Sequence, residues 1–162
     1  MIALDFDGVI ANYGDHTTTT RINTGLLALL PRERQPVAII TNQGGMALHA
    51  SAPERYPAPE RVAMRLLAGI GWLEARGYRV QMVLISAYHP RADRQMIERA
   101  AAQLRRELVL VPRTVYTTER SRKPSPFMLR VARASVYYGD SPEDEEAARA
   151  AGVPFVRVPR FE

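Results

Sequence analysis

Two acids stand two residues apart near the start of the chain, Asp5 and Asp7, directly after the apolar run Ile2-Ala3-Leu4. Residues 2–6 read as a short buried strand that delivers both acids at its C-terminal end, where Gly8 lets the chain turn. On a strand, residues 5 and 7 share one face. Two carboxylates so close repel unless a cation lies between them or one takes up a proton. Mg²⁺ suits such a set, because it prefers hard oxygen ligands. Taken alone, Asp-x-Asp is equally a strand ending in a polar turn, so the partners must come from elsewhere.

Three further places supply them. Val37-Ala38-Ile39-Ile40 is a continuous apolar run that stops at Thr41-Asn42-Gln43-Gly44-Gly45, and Ser135 to Tyr138 runs into Gly139-Asp140-Ser141-Pro142. Both read as buried parallel strands ending in polar groups. Of 22 basic residues, 21 are Arg and one is Lys, at position 123, just ahead of the second of these strands. If the sheet is parallel, the strand ends meet along one edge, where ligands bind in open α/β sheets. That edge would gather carboxylates, a hydroxyl, backbone N–H groups and one ammonium. This set suits phosphoryl transfer: carboxylates for a metal and for attack, donors and positive charge for phosphate.

The elements that must position these groups alternate. Ile22, Leu26, Leu29 and Leu30 predict a helix that begins near Asn23 or Thr24 and ends at Pro31. Residues 8–20 and 46–58 read as loops, with Thr17 to Thr20 as a possible flap. Val62, Leu66, Ile70 and Leu73 predict an amphipathic helix over 59–76 closed by Gly77, with Trp72 packed at its edge. A strand over 79–86 and a helix over 91–107 follow. Residues 108–111 and 114–117 both have strand character, and 114–117 is preferred. Ser125-Pro126 and Ser141-Pro142 are cap-plus-proline helix starts, for helices running to about Ala134 and to Gly152. Glu143 to Glu146 fill the first turn of the second, where the helix dipole favours acids. A last strand spans 154–158. Strand–helix alternation of this kind predicts a single α/β domain with a doubly wound, Rossmann-like parallel sheet, without internal repeats or a linker.

Composition bounds the classes. The chain has 162 residues, 46% hydrophobic and 24% charged, as in a soluble globular domain. No apolar run approaches the ~20 residues of a membrane span, and the first residues lack a basic lead ahead of an apolar stretch, so no signal peptide is expected. The absence of Cys excludes a disulfide framework and Cys-ligated zinc, and a cytoplasmic location is expected. Charge is uneven: net −2 over residues 1–60, +10 over 61–135 and −3 over 136–162. The basic middle attracts anions or simply solvates helix faces.

With these residues in place, the chain resembles the haloacid dehalogenase-like superfamily of phosphohydrolases. Four motifs occur in that family's order: Asp-Phe-Asp-Gly at 5–8, a strand ending in Thr41, Lys123 in Arg-Lys-Pro-Ser-Pro, and Gly-Asp-Ser-Pro-Glu-Asp at 139–144. The resemblance implies that Asp5 attacks phosphorus to form an aspartyl-phosphate and that Asp7 protonates the leaving alcohol and then activates water. It implies that Thr41 and the N–H of Asn42 hold phosphoryl oxygens while Lys123 restrains Asp5 and offsets phosphate charge. Asp5, the Asp7 carbonyl and Asp140 would bind Mg²⁺, with Asp144 supporting it directly or through water. An acid at position 7 favours ester hydrolysis over dehalogenation, because a halide needs no proton.

Only 33 residues separate Asp7 from Thr41, too few for a large cap domain, so an open site resembling the capless branch is expected. That branch includes histidinol-phosphate and heptose-bisphosphate phosphatases and polynucleotide 3′-phosphatases; the Cys-rich zinc loop of the first two has no counterpart here. The expected substrate is a small phosphorylated metabolite. The alternatives are a 3′-phosphate end of nucleic acid, for which Tyr88, Tyr116 and Phe127 give a thin aromatic signal, and a non-catalytic phosphate-binding module on the same fold. Among His16, His49 and His89, each in a loop, only His16 is expected to touch substrate. Oligomeric state is not legible.

Overall fold

A computed structural model describes residues 1–14 and 19–162. Six strands form one all-parallel sheet: β1 (Ile2–Leu4), β2 (Val37–Asn42), β3 (Val80–Ser86), β4 (Arg113–Tyr116), β5 (Val136–Gly139) and β6 (Phe155–Arg157). Their order across the sheet is β4-β3-β2-β1-β5-β6. Among the described residues four α-helices cover the faces: α1 (Pro59–Ala75), α2 (Arg94–Glu107), α3 (Phe127–Ala132) and α4 (Pro142–Ala151).

Side-chain alternation along the strands divides the core in two. Ile2, Leu4, Val37, Ile39, Val83 and Ile85 point to one face, where α1 and α2 bury Val62, Leu66, Leu73, Ile97 and Leu104. Ala3, Ala38, Ile40 and Leu84 point to the other, where α3 and α4 bury Met128, Leu129, Ala147 and Ala148. Each strand is therefore apolar on both sides, as a sheet covered by helices requires. The result is a three-layer, doubly wound α/β fold. Strand order turns back between β1 and β5, so the switch point lies at the ends of these strands.

The start and stop read for the last helix, Ser141-Pro142 and Gly152, agree with α4, whereas α3 begins at Phe127 with Pro126 rather than Ser125 at its N-cap. Asp93 caps α2 by accepting from the Met96 N–H at 2.9 Å. Ser141 and Asp144 form a reciprocal capping box at α4, which Gly152 closes at φ 71°. Several boundaries differ. The helix expected between Asn23 and Pro31 is a single 3₁₀ turn, Thr24–Ala28, with Leu26 and Leu30 buried and Leu27 and Leu29 exposed. Nucleating an α-helix over so few residues is unfavourable, and Gly25 adds to the cost. Another 3₁₀ turn, Gly44–Leu48, begins the stretch expected to be loop. Helix α3 ends at Ala132, because Arg133 takes a left-handed conformation at φ 52°. The choice of 114–117 over 108–111 is close to β4, and Leu108 instead packs into the core below α2.

Strand β1 stops at Leu4 rather than residue 6. Asp5 keeps sheet pairing through its N–H to the Tyr138 carbonyl at 2.9 Å. After it the chain turns: the N–H groups of Val9, Ile10 and Ala11 all donate to the Phe6 carbonyl. Asp5 and Asp7 therefore do not share a strand face, and their carboxylates face different partners. The flap expected at Thr17 to Thr20 falls partly outside the described residues, as does His16.

Candidate functional site

The site is built on a buried ammonium. Lys123 follows the connection from β4 and lies under the ends of β1, β2 and β5, 5% exposed. Its Nζ donates to Asp5 Oδ1 at 2.8 Å, to Asp144 Oδ1 at 2.6 Å and to the Tyr137 hydroxyl at 2.8 Å. Its main chain is fixed as well: the Asn42 side chain accepts from the Lys123 N–H at 3.0 Å and donates to the Lys123 carbonyl at 3.2 Å. Asn42, at the end of β2, thus clamps a loop 81 residues further along the chain.

Electrostatics follow from this burial. Burial alone would lower the Lys123 ammonium, but the Asp5 and Asp144 carboxylates override it and hold the group above the ordinary lysine value. Asp144 is likewise opposed by burial, yet Lys123, Tyr137 and Ser141 together pull its carboxyl well below the usual range. Asp5 goes the other way: its burial outweighs the attraction of Lys123, with Asp144 and Asp7 adding repulsion, so its carboxyl is pushed well up. One ammonium does not neutralise the carboxylates that converge here.

Asp144 is saturated. Its Oδ1 accepts from Lys123 and from the Tyr137 hydroxyl at 2.7 Å, while its Oδ2 accepts from the N–H groups of Asp140 and Ser141 and from the Ser141 hydroxyl. This close packing is possible only because Gly139 has no side chain: a Cβ there would run into the Asp144 carboxylate. Gly8 is needed for two reasons, a φ of +84° and a Cβ position that would overlap the Asp140 carboxylate.

Asp140, at the end of β5, turns its side chain toward Asp5. Carboxylate oxygens of Asp5, Asp140 and Asp144 lie within 4.8 Å of one another, and all three residues are buried. An Asp140 oxygen accepts from Arg160 Nε at 2.6 Å. All-carboxylate oxygen donors fit a hard divalent cation such as Mg²⁺. Asp5 and Asp140 each keep an oxygen outside the described hydrogen bonds, whereas those of Asp144 are committed. Asp7 is not part of this group. Its Oδ1 accepts from Arg65 on α1 and its Oδ2 from Gln43, both donors near 2.8 Å. Gln43 also donates to the Thr41 hydroxyl at 2.9 Å.

A cavity of about 390 Å³ opens above these groups, lined by Asp5, Asp7, Thr41, Asn42, Arg122, Lys123 and Asp140 among others. Asp5, Asp7, Thr41, Asn42, Lys123 and Asp140, all candidates from the sequence, line it, and Asp144 lies beneath. His49 and His89 do not. His49 pairs through Nδ1 with the Tyr56 carbonyl at 2.7 Å, and His89 accepts from the Arg91 N–H at 3.1 Å. Burial, then Arg122 and Arg91, lower the His89 imidazole.

Sequence reasoning missed Gln43, which reads only as part of a polar strand end, and four further members. Tyr137 lies inside an apolar strand run, so it reads as core. Arg65, Arg122 and Arg160 are three of 21 arginines, and nothing local separates them from solvated ones. Comparison of the chain with protein-family models, with curated proteins and with solved structures returned no match.

Proposed function

We propose that this protein is a phosphate monoester hydrolase of the haloacid dehalogenase-like type, acting on a small phosphorylated compound. The observation that carries the reading is the buried ammonium of Lys123, paired to Asp5 and Asp144 at the switch point of a parallel sheet and opening onto a cavity with Thr41, Asn42 and Arg122. A structural ion pair alone does not account for the cavity or for the second acid, Asp7, on its wall.

In this reading Lys123 restrains Asp5 through Oδ1, leaving Oδ2 free to attack phosphorus. The P–O bond to the alcohol breaks, its electron pair goes to the departing oxygen, and the Asp7 carboxyl supplies the proton. Water then attacks the phosphorus of the aspartyl-phosphate and gives its proton to Asp7, releasing inorganic phosphate and the Asp5 carboxylate. Gln43 and Arg65 orient the Asp7 oxygens for both proton transfers. The Thr41 hydroxyl and the Asn42 N–H receive the non-bridging oxygens, and Arg122 adds positive charge. Asp5 and Asp140 would hold Mg²⁺, with Asp144 as the fixed base on which Asp140 and Lys123 rest. When bound, the ion would screen the repulsion between attacking carboxylate and phosphate.

The test is release of inorganic phosphate from a panel of esters, 4-nitrophenyl phosphate and a 3′-phosphorylated oligonucleotide included, with Mg²⁺ or with EDTA. Mg²⁺-dependent release that Asp5→Asn abolishes is expected, together with slow turnover and phosphoenzyme accumulation in Asp7→Asn. Full activity of Asp5→Asn, or no release from any ester, refutes the proposal. Preference for the oligonucleotide, lost steeply with salt, would move the substrate to nucleic-acid ends.

A further inference from the structure

A second cavity, of about 330 Å³, adjoins the first and shares Asp7 and Tyr13 with it. Its other walls include Gln43, Arg55, Tyr56 and Arg65. Asp7 stands at the junction, its carboxylate tied to two residues that line this second space. Whatever receives a proton from Asp7 lies at that junction, and the rest of the departing alcohol has the second cavity beside it.

The character of this cavity is cationic and aromatic. Asp7 is the sole acid among its described lining residues, and it already pairs with Arg65. Arg55 is different: its guanidinium is exposed and has no hydrogen-bond or ion-pair partner among the described residues. The neighbouring Tyr56 ring is held in place, its hydroxyl accepting from Arg91 at 2.7 Å and its carbonyl pairing with His49. The volume is at the small end of ligand pockets, which span roughly 300–1,000 Å³.

We infer that the second cavity is the leaving-group subsite, and that it selects small phosphate esters whose alcohol carries a second negative charge, received by Arg55. This rests on the hydrolase reading above and adds the class of alcohol to it. The planar guanidinium fork matches a carboxylate or a phosphate bidentately, and Tyr56 beside it offers a face for an apolar ring or chain.

The test compares phenyl phosphate with 4-carboxyphenyl phosphate, esters alike except for the distal charge. Wild type is expected to favour the carboxylated ester in kcat/KM by about tenfold, in line with one partly exposed charge-assisted hydrogen bond. The preference should appear in KM. Arg55→Gln should bring the ratio close to one, and Arg55→Glu should reverse it. Product inhibition gives a second readout: 4-hydroxybenzoate should inhibit wild type more strongly than phenol does, and Arg55→Glu no more strongly. Equal kcat/KM for the two esters in wild type, or a ratio unmoved in both variants, overturns the subsite while leaving the hydrolase reading intact. No hydrolysis of these two esters when others of the panel above are hydrolysed overturns the subsite, and no hydrolysis of any ester overturns the hydrolase reading itself.

Discussion

Replacing Lys123 by Met tests the centre of the molecule directly. Met keeps much of the side-chain length and removes the charge, leaving the Asp5 and Asp144 carboxylates without the ammonium now 2.8 and 2.6 Å away. Asp144 is fully buried, so water cannot replace what is lost. Breaking a buried ion pair by deleting one partner costs about 3–5 kcal/mol. Against a total stability of about 5–15 kcal/mol, that is a large share. At roughly 2–4 °C per kcal/mol for a domain of this size, Tm should fall by about 6–20 °C. Circular dichroism, in EDTA so that no divalent ion takes the place of the ammonium, measures the free-energy loss by urea unfolding and the fall in Tm by thermal unfolding. A companion variant separates charge from packing. Lys123→Met combined with Asp144→Asn should be more stable than Lys123→Met alone, because one stranded charge is gone, although Asp144→Asn destabilises the wild type.

The pH dependence has a sign. Unfolded carboxyls titrate near about pH 4, and native Asp144 lies below that value because Lys123, Tyr137 and Ser141 hold it ionised. Its contribution is complete above about pH 4 and is lost as pH falls toward the folded value. Asp5, raised by burial, contributes in the opposite sense: its share is present at low pH and declines as pH rises. Removing the ammonium strengthens that decline. The stability gap between wild type and Lys123→Met should therefore be widest at neutral pH and narrow below about pH 4. A loss under about 1 kcal/mol at pH 7, or strict additivity with Asp144→Asn, would refute the account of the buried cluster.

Two further predictions probe its supports. Tyr137→Phe removes the hydroxyl between Lys123 and Asp144 and should destabilise by about 2–3 kcal/mol in urea unfolding, the worth of hydrogen bonding to charged groups; under the proposed hydrolase reading it should lower kcat less than Lys123→Met does, and no loss of stability would show that the hydroxyl is dispensable. Gly139→Ala forces a methyl group onto the Asp144 carboxylate and should cost about 1–3 kcal/mol as overpacking does; a variant as stable as wild type would mean that β5 and α4 have room to part.

Much of the fold was legible because its signals are local. Alternating apolar runs and the helix start at Ser141-Pro142 act within a few residues, and the sequence shows them whole; the Asp93 cap of α2 is just as local but was not read. The Thr24–Ala28 turn was misread because apolar spacing at Leu26 and Leu30 looks the same whether the segment is one turn or two. The Asp5/Asp7 pair shows the other limit. A strand period placed the two acids side by side, but the turn around the Phe6 carbonyl sends one to Lys123 and the other to Arg65.

What the sequence determined by itself is the set of groups at the strand ends, Asp5, Thr41, Asn42 and Asp140, together with the single lysine. These follow from where apolar runs stop, a property of neighbouring residues. Tertiary structure alone decided which charges meet. Arg65 reaches Asp7 from 58 positions away, Arg160 reaches Asp140 across 20, and Tyr137 joins Lys123 to Asp144 from inside a strand. Ion pairing depends on distance through space, and among 21 arginines of similar local context only the folded chain distinguishes those that face the cavity from those that face water.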